Sequence, residues 1–373
     1  MEPHTPNSAR PRHAPAADQP GQPQGDLATG VGLDHVSETR CAVPASVAGI
    51  AERYTDPLWE ITVELSDLER ALLRSAPLRR LHFIAHAGAS SITTAQTYSR
   101  LEHSLGVLAL IAHFHPEHAT LRAAALLHDV GHLPFSHTLE GISGLDHHAL
   151  GARMISAGPL ADALTAHGMK PSTLTDLLSE AGPIPWNPPP GVLSIDHLDS
   201  YVRSARSGAR LSSRPRDLLT RLDMVERAIS TDRQTAQSLL DLVCGEAFLH
   251  TSWENIAPSA ALQRLVRELL DAGRIKPARL AAMTDAQLWA ALEADSHTRA
   301  GARQLQLTPY VQCTAKEPDE PLSADGWEFS MRKIYASAPL IDGQPIDAAA
   351  PDLARRIADL SALPTRYEVR RSA

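Results

Sequence analysis

Four residues constrain the fold of this chain more than any other feature: His103, the adjacent pair His128 and Asp129, and the distant Asp196. Two imidazoles and two carboxylates form a mixed nitrogen and oxygen donor set that suits a divalent transition metal. A single histidine would be better explained as a hydrogen-bonded core residue, because the chain contains 18 histidines. Four such residues in matched apolar contexts instead predict a metal site that several helices must converge to build.

Apolar periodicity predicts the helices that carry these residues. Residues 102–115 are apolar on most of the helix surface, so this helix is expected at the centre of the fold. Residues 121–130 are predicted to carry the His-Asp pair, and residues 194–206 to carry Asp196. Adjacent side chains on a helix point about 100° apart, so His128 and Asp129 are expected to converge on an ion lying between their directions.

Composition narrows the functional class. The chain has 373 residues, is 43% hydrophobic and carries a net charge of −8 without a basic stripe, so general nucleic-acid binding is not expected. We find no apolar run of membrane-spanning length and no hydrophobic signal segment, which predicts a cytoplasmic protein without a membrane partner. The three cysteines, Cys41, Cys244 and Cys313, are too few and too widely spaced to indicate a disulfide framework.

Three regions are expected along the chain. Residues 1–45 are rich in Pro, Ala, Gly, Gln and His and are predicted to form a disordered tail, a plain extension rather than a docking segment. Residues 46–215 are predicted to form an all-α domain around the metal site. Residues 216–373 are predicted to add a helical C-terminal region with a minor sheet. Its helices are expected at 216–229, 233–251, 260–272 and 285–293, and its sheet at 327–336.

Two segments carry a family resemblance, RLEHSLGV at residues 100–107 and HDVGH at residues 128–132. They resemble the HD-domain phosphohydrolases, in particular the branch of deoxynucleoside triphosphate triphosphohydrolases, and the likeness covers roughly residues 47–210. The resemblance implies an all-α HD fold in which His103, His128, Asp129 and Asp196 are metal ligands. It implies one divalent ion, and the residues do not distinguish Fe, Mn, Zn, Ni and Mg.

The same resemblance implies four catalytic residues, which are His132, His137, Glu140 and His147. Phosphoryl transfer requires an activated water, neutralisation of phosphate charge and a proton for the leaving oxygen. A histidine can protonate a leaving alkoxide near neutral pH, so the three histidines are predicted to be phosphate contacts or general acids. Glu140 is predicted to orient one of them. The alternative is a polar hydrogen-bonded loop.

The substrate-binding positions depart from the family pattern. The predicted substrate-binding residues are His86, Arg100, His197, Tyr201 and Arg203. Arg100 and Arg203 match phosphate-contacting arginines, although Arg203 could equally form a structural ion pair. In the family a glutamine stands at the place of His86, and a lysine or arginine at the place of His197.

Two further positions of the substrate pocket differ as well. Ser200 stands where the family has an aromatic residue, with Tyr201 adjacent, and Ser204 stands where it has an acidic one. The loss of polar groups that bind a substrate hydroxyl changes specificity strongly, because buried unpaired groups are costly. We therefore expect the hydrolytic chemistry to be retained and the selectivity for deoxynucleotides to be altered.

Three functions follow as hypotheses. The first is a metal-dependent nucleotide phosphohydrolase that releases triphosphate from a nucleoside triphosphate. The second is a phosphomonoesterase acting on a nucleoside monophosphate or related metabolite. The third is a nucleotide-sensing module without turnover, against which the complete ligand set argues. A nucleotide substrate and a homo-oligomeric assembly are expected in the leading case.

Overall fold

The computed structural model describes residues 46–179 and 187–371, so the predicted tail at residues 1–45 lies outside the described residues. The described part is mainly helical, which confirms the all-α fold class with small sheets. Its helices are α1 Asp67–Arg74, α2 Ala76–Arg80, α3 Arg100–Phe114, α4 Ala119–Leu127, α5 His147–Ser156, α6 Pro159–Ala166, α7 Pro171–Leu177, α8 Ile195–Ser207, α9 Pro215–Leu219, α10 Arg233–Thr251, α11 Trp253–Asp271, α12 Pro277–Ala282, α13 Asp285–Ala294, α14 Arg299–Leu307, α15 Ile346–Ala349 and α16 Pro351–Asp359. Short 3-10 turns cover Leu81–Phe83, Gly88–Ile92, Ser136–Leu139, Ile142–Gly144 and Leu360–Ala362.

The described strands form three small sheets rather than one. The strands are β1 Arg53–Thr55, β2 Thr62–Glu64, β3 Leu222–Val225, β4 Ala228–Thr231, β5 Val311–Ala315, β6 Trp327–Ser330, β7 Leu340–Ile341 and β8 Arg366–Arg371. β1 and β2 pair antiparallel, β3–β4 form a hairpin that β7 joins in parallel, and β8 lies between β5 and β6. The predicted sheet at residues 327–336 is therefore limited to β6, and residues 331–337 cross the molecule without regular structure.

Helix α3 is the central element, as its apolar pattern predicts. Ser99 caps it in a capping box with Glu102, so the helix begins two residues before the predicted start. His103 lies in its first turn and is fully buried. Residues of α4 and α8 pack against α3, and Ser194 caps the start of α8, because its hydroxyl accepts a hydrogen bond from the amide of His197. The first turns of α3 and α8 therefore bring His103 and Asp196 to one place.

Helix α4 ends earlier than predicted, at Leu127, and this changes how the His-Asp pair is presented. His128 is its C-terminal cap, and residues 128–130 form a turn. Asp129 is thus free of the helical 100° spacing. Gly131 follows directly, and a Cβ at this position would overlap the backbone of His147 and Gly151 in α5. The glycine therefore permits the close approach that brings α5 to the metal residues.

One predicted helix is much shorter than expected. Residues 216–229 were expected to be helical, but α9 stops at Leu219 and the chain continues into the β3–β4 hairpin. Glu226, at the hairpin turn, has a φ of 54°. The β-branched Val225 and Ile229 suit strands, and Ile229 is fully buried. Strand propensity and the tight turn override the helical spacing here.

The C-terminal helices share the core of the N-terminal part. Leu239 and Val243 of α10 belong to the same buried cluster as Leu198 of α8 and Leu105 of α3. A second cluster packs α11, α12 and α13 against the 3-10 turn at Ser136–Leu139. The boundary predicted at residue 215 stays a prediction. Among the described residues, no helix is long and apolar enough to cross a membrane.

Candidate metal centre and active site

Three of the four predicted ligands converge at the start of α3 and α8 and the end of α4. The Nε2 atoms of His103 and His128 lie 3.3 Å apart. Asp196 Oδ1 lies 2.9 Å from His103 Nε2 and 3.8 Å from His128 Nε2. Together these three donor atoms can hold a metal ion.

The other ring nitrogen of each histidine is already occupied. His103 Nδ1 donates to Asp199 Oδ2 at 2.8 Å, and His128 Nδ1 donates to the carbonyl of Ala125 at 2.9 Å. These bonds fix the ring orientations and leave the Nε2 lone pairs directed at the shared site, which is the usual support of metal-binding histidines. The donor set and its support therefore fit a divalent ion.

Asp129 is the fourth predicted metal ligand, and it also contacts a second cluster of side chains that includes His132. Its Oδ2 lies 3.8 Å from His103 Nε2, and its Oδ1 lies 3.5 Å from His128 Nε2. Oδ1 also lies 3.1 Å from Nε2 of His132. Metal–ligand bonds of 2.0–2.2 Å place neighbouring donors about 3 Å apart, so the carboxylate has only a short distance to close.

Charge in the site favours ionised carboxylates and at least one protonated histidine when no ion is bound. Burial opposes the charged form of His103, but hydrogen bonds to Asp196 and Asp199 outweigh it and raise its pKa to about 9. Burial likewise opposes ionisation of Asp199, but the Arg203 charge lowers its pKa to about 2. A metal ion therefore competes with a proton for His103.

A buried network behind His103 was not predicted from the sequence. Asp199 accepts hydrogen bonds from Trp59 Nε1 at 2.7 Å and from Arg203 as well as from His103. Arg203 also pairs with Asp56 at 3.0 Å. Gly106 of α3 makes room for this network, because a Cβ there would overlap the Asp199 and Arg203 side chains. The one sequence signal is that Asp199 follows Asp196 by three residues and so shares its helix face.

Three predicted catalytic histidines form a second group beside Asp129. The ring-nitrogen donors of His132, His137 and His147 lie within 4.8 Å of one another. The His132 and His147 rings stack at 4.2 Å. Glu140 Oε2 accepts from His147 Nδ1 at 2.9 Å, and its other oxygen accepts the His147 amide. His132 is fully buried, whereas His137 is solvent-exposed.

The turn that carries His137 is strained and held from the C-terminal region. Phe135 and Ser136 both have positive φ, 54° and 52°. Such conformations persist only when surrounding structure enforces them. Asp285, at the start of α13, accepts the amides of Phe135 at 2.7 Å and Ala85 at 2.8 Å. Burial raises the pKa of Asp285 to about 6.

Comparison with known proteins shows what this site resembles. Residues 100–180 match the model of the HD domain. This stretch of the chain is therefore similar to an HD domain. The match includes both histidine groups and ends before α8, so Asp196 comes from sequence beyond the matched residues.

Relatives and a solved structure agree with the HD domain. The chain is 28% identical over 247 residues to the metal-dependent phosphohydrolase cns2 of Cordyceps militaris, covering 59% of this chain and 67% of that protein. It is 34% identical over 98 residues to the uncharacterised protein MJ1154 of Methanocaldococcus jannaschii, covering 25% of this chain and only 22% of that protein. A Bacteroides thetaiotaomicron phosphohydrolase structure covers 87% of this chain and 100% of its own, with a TM-score of 0.64 and 18% identity, which shows the fold alone. Family match and relatives together support a hydrolase of the HD superfamily.

The two arginines predicted to contact phosphate are engaged by protein groups. Arg100 Nη1 pairs with Asp129 at 2.8 Å, and its Nε donates to Ser136 at 2.8 Å. Arg203 lies buried between Asp56 and Asp199. Arg100 borders the site, whereas the contacts of Arg203 are those of a structural ion pair; its role in substrate binding stays a prediction.

The other predicted substrate-binding residues surround the metal group. His86 is stacked on Tyr98 at 4.9 Å and lies 4.6 Å from the His103 ring. Burial, followed by the charge of Arg100, holds the pKa of His86 well below its usual value. The His197 ring lies 5.7 Å from that of Tyr201, and Tyr201 is buried.

Two contributions from outside the HD domain were missed from the sequence. The hydroxyl of Ser204 donates to the carboxylate of Glu246 on α10, which also pairs with Arg210. An acidic group thus lies next to the position where Ser204 replaces the family's carboxylate. Tyr335 contacts the His197 ring edge-on at 5.2 Å. Neither residue belongs to a local motif, so only the fold reveals them.

Proposed function

We propose that this chain is a metal-dependent nucleotide phosphohydrolase, acting like a triphosphohydrolase that converts a nucleoside triphosphate to nucleoside and triphosphate. The observation that supports it best is that Asp129 contacts two neighbouring groups of side chains, the predicted metal ligands and the three predicted catalytic histidines. One group offers the donor set of a divalent ion, and the other offers three histidines within reach of a phosphate held there. The name of the cns2 relative points to the same class of reaction.

Each residue of the site has a separate proposed role. His103, His128, Asp129 and Asp196 would hold a divalent ion, which would supply Lewis-acid polarisation of the phosphoryl group. His147 acts as the general acid, because Glu140 holds its Nδ1 proton and stabilises the imidazolium while Nε2 remains for the leaving oxygen. His132 and His137 contact phosphate oxygens. Asp199 positions His103.

A phosphomonoesterase is the second candidate, and one observation favours it. His197 stands where a cation would bind additional phosphates, and Arg100 is already paired with Asp129. A site with fewer available cations suits a substrate with fewer negative charges.

Product analysis distinguishes the candidates. Protein loaded in turn with Fe, Mn, Zn, Ni and Mg is incubated with nucleoside triphosphates, deoxynucleoside triphosphates and nucleoside monophosphates, and the products are separated by chromatography. Inorganic triphosphate with nucleoside supports the triphosphohydrolase. Orthophosphate from monophosphates supports the monoesterase. Absence of product with every metal and substrate would contradict both and leave the nucleotide-sensing module.

A further inference from the structure

A phosphorylated substrate at this site meets carboxylates on several sides. Asp129 and Asp196 border the metal group, and Glu140 borders the histidine group. The arginines of α3 and α8 that lie nearest are both committed to carboxylates. An oligophosphate therefore needs cations from another part of the chain.

Residues 331–337, which we call the strap, follow β6 without regular structure. At one end of the strap, the Tyr335 ring lies 5.2 Å from His197 and 6.0 Å from His250. Burial raises the pKa of Tyr335, and the charges of Asp196 and Asp129 add to the rise. This end of the strap therefore lies beside the metal group.

The other end of the strap lies near Glu140, the hydrogen-bond partner of His147. A Cβ added at Gly141 would lie 3.1 Å from Arg332 Nη1, so the guanidinium lies against the residue that follows Glu140. Arg332 lines a cleft of about 520 Å³ together with Glu140, Gln263 and Arg267. That volume is within the usual range for a small-molecule site of about 300–1,000 Å³.

The strap carries two cations that pair with no carboxylate among the described residues. Lys333 Nζ lies 5.0 Å above the Tyr335 ring, which holds the ammonium at the rim near His197. Within residues 46–179 and 187–371, neither Arg332 nor Lys333 forms an ion pair, and both side chains are exposed. Exposed cations are common on protein surfaces. Here, however, the chain has only four lysines, and one of them lies over Tyr335, whose ring contacts His197 beside Asp196.

We propose that Arg332 and Lys333 bind the phosphate groups of the substrate that extend beyond the reacting phosphorus. The strap thereby supplies the positive charge that position 197 lacks, and the substrate class is an oligophosphate ester rather than a monoester. This inference rests on the proposed function and makes it more specific.

Calorimetric titration with inorganic tripolyphosphate tests the proposal without requiring turnover. We expect Lys333→Gln and Arg332→Gln each to weaken binding about tenfold, or about 1.4 kcal/mol. Lys333→Arg should retain binding within about threefold, since the charge is kept. Lys276→Gln and Arg303→Gln are matched controls, because both residues are exposed. Lys276 is the N-cap of α12, and Arg303 lies within α14. Elemental analysis after dialysis checks that the anion has not removed the bound ion.

The two proposals fail in different ways. The inference about the strap is wrong if the wild-type protein does not bind tripolyphosphate, or if both strap variants bind it as tightly as the wild type. This holds even where nucleotides are hydrolysed. If the wild-type protein binds tripolyphosphate through the strap but cleaves no phosphoester, the proposed function is wrong and the anion site stands. In a working enzyme, the strap variants should raise KM about tenfold for triphosphates and leave kcat nearly unchanged.

Discussion

Asp199 explains why His103 presents its Nε2 atom to Asp196. The carboxylate is fully buried and accepts hydrogen bonds from the imidazole, the indole of Trp59 and the guanidinium of Arg203. Such a carboxylate–histidine contact fixes the tautomer and increases the basicity of the metal-binding nitrogen. At the scale of single residues, the geometry of the centre thus depends on a side chain that does not touch the ion.

Asp199→Asn should lower metal affinity about 10- to 100-fold, because the amide accepts a weaker hydrogen bond from His103. Arg203 keeps Asp56 as a partner, so the variant is expected to fold. Competition with a chelator measures the affinity. Asp223→Asn is the matched control, because Asp223 is exposed on β3. Equal affinities of the two variants would show that Asp199 does not support the centre.

His147→Ala and His137→Ala should keep the bound metal and lose most turnover, and for His147 the loss should be about 10²- to 10⁴-fold, as expected for loss of a general acid. If His147 protonates the leaving oxygen, its variant should recover on p-nitrophenyl phosphate esters, whose leaving group needs no proton. Metal content, melting temperature and turnover are measured together. Loss of metal from either variant would instead assign the histidine group to ion binding, and unchanged nucleotide turnover would leave these residues as scaffold.

The sequence singles out the residues of the motifs, because each motif is local. His103, the His128–Asp129 pair and Asp196 stand in recognisable contexts, and the structure brings their side chains together. Asp199 has only its spacing from Asp196 as a signal. Lys333 and Glu246 lie far along the chain, and no local pattern connects them to the site. Their proximity follows from tertiary packing alone.

At the scale of elements, capping and turn residues determine where the sequence alone predicts the bounds of a helix or strand correctly. Helix α10 was predicted at its observed bounds, and Asp232 caps it by accepting the amide of Thr235. The end of α4 and the β3–β4 hairpin were not predicted. In both places a turn interrupts an apolar pattern that would otherwise continue as a helix, and periodicity does not contain that information.

Glu246 connects α10 to α8 and should make this contact sensitive to acid. Burial opposes its ionisation, but hydrogen bonds from His250, Ser204 and Arg210 lower its pKa to about 2. Because the folded-state pKa lies below the unfolded value, the stabilisation is present above the unfolded pKa and is lost as the pH falls towards 2. The shift from 4.5 to about 2 corresponds to about 3 kcal/mol.

Denaturant unfolding of the wild-type protein and Glu246→Gln as a function of pH measures this contribution. We expect the free-energy difference between them to be largest above pH 5 and to shrink as the pH falls from 4.5 towards 2. A difference that does not change with pH would show that the carboxylate is not held ionised in the folded state.

At the scale of the whole molecule, the C-terminal region contributes to the candidate site. Asp285 holds the strained turn before His137, α10 supplies Glu246, and Tyr335 of the strap contacts the His197 ring. The core clusters also join residues from both regions. Sequence composition separates the C-terminal region from the domain before it but does not reveal that both contribute to one candidate site.

Residues 1–40 lie outside the described structure, and their composition offers too little apolar surface to join a core. Their removal should leave the melting temperature and the activity nearly unchanged. A substantial loss of either property, measured side by side with the full chain, would mean that this segment takes part in folding or function.

Elemental analysis of the wild-type protein and Asp196→Asn tests the metal centre most directly. Asp196 lies 2.9 Å from His103 Nε2, and the amide keeps its shape while losing the charge that a divalent ion requires. We predict that the wild-type protein retains a divalent transition metal after dialysis and that Asp196→Asn loses most of it while remaining folded. Wild-type metal occupancy in the variant, or a wild-type protein that retains no metal after loading, would contradict the account.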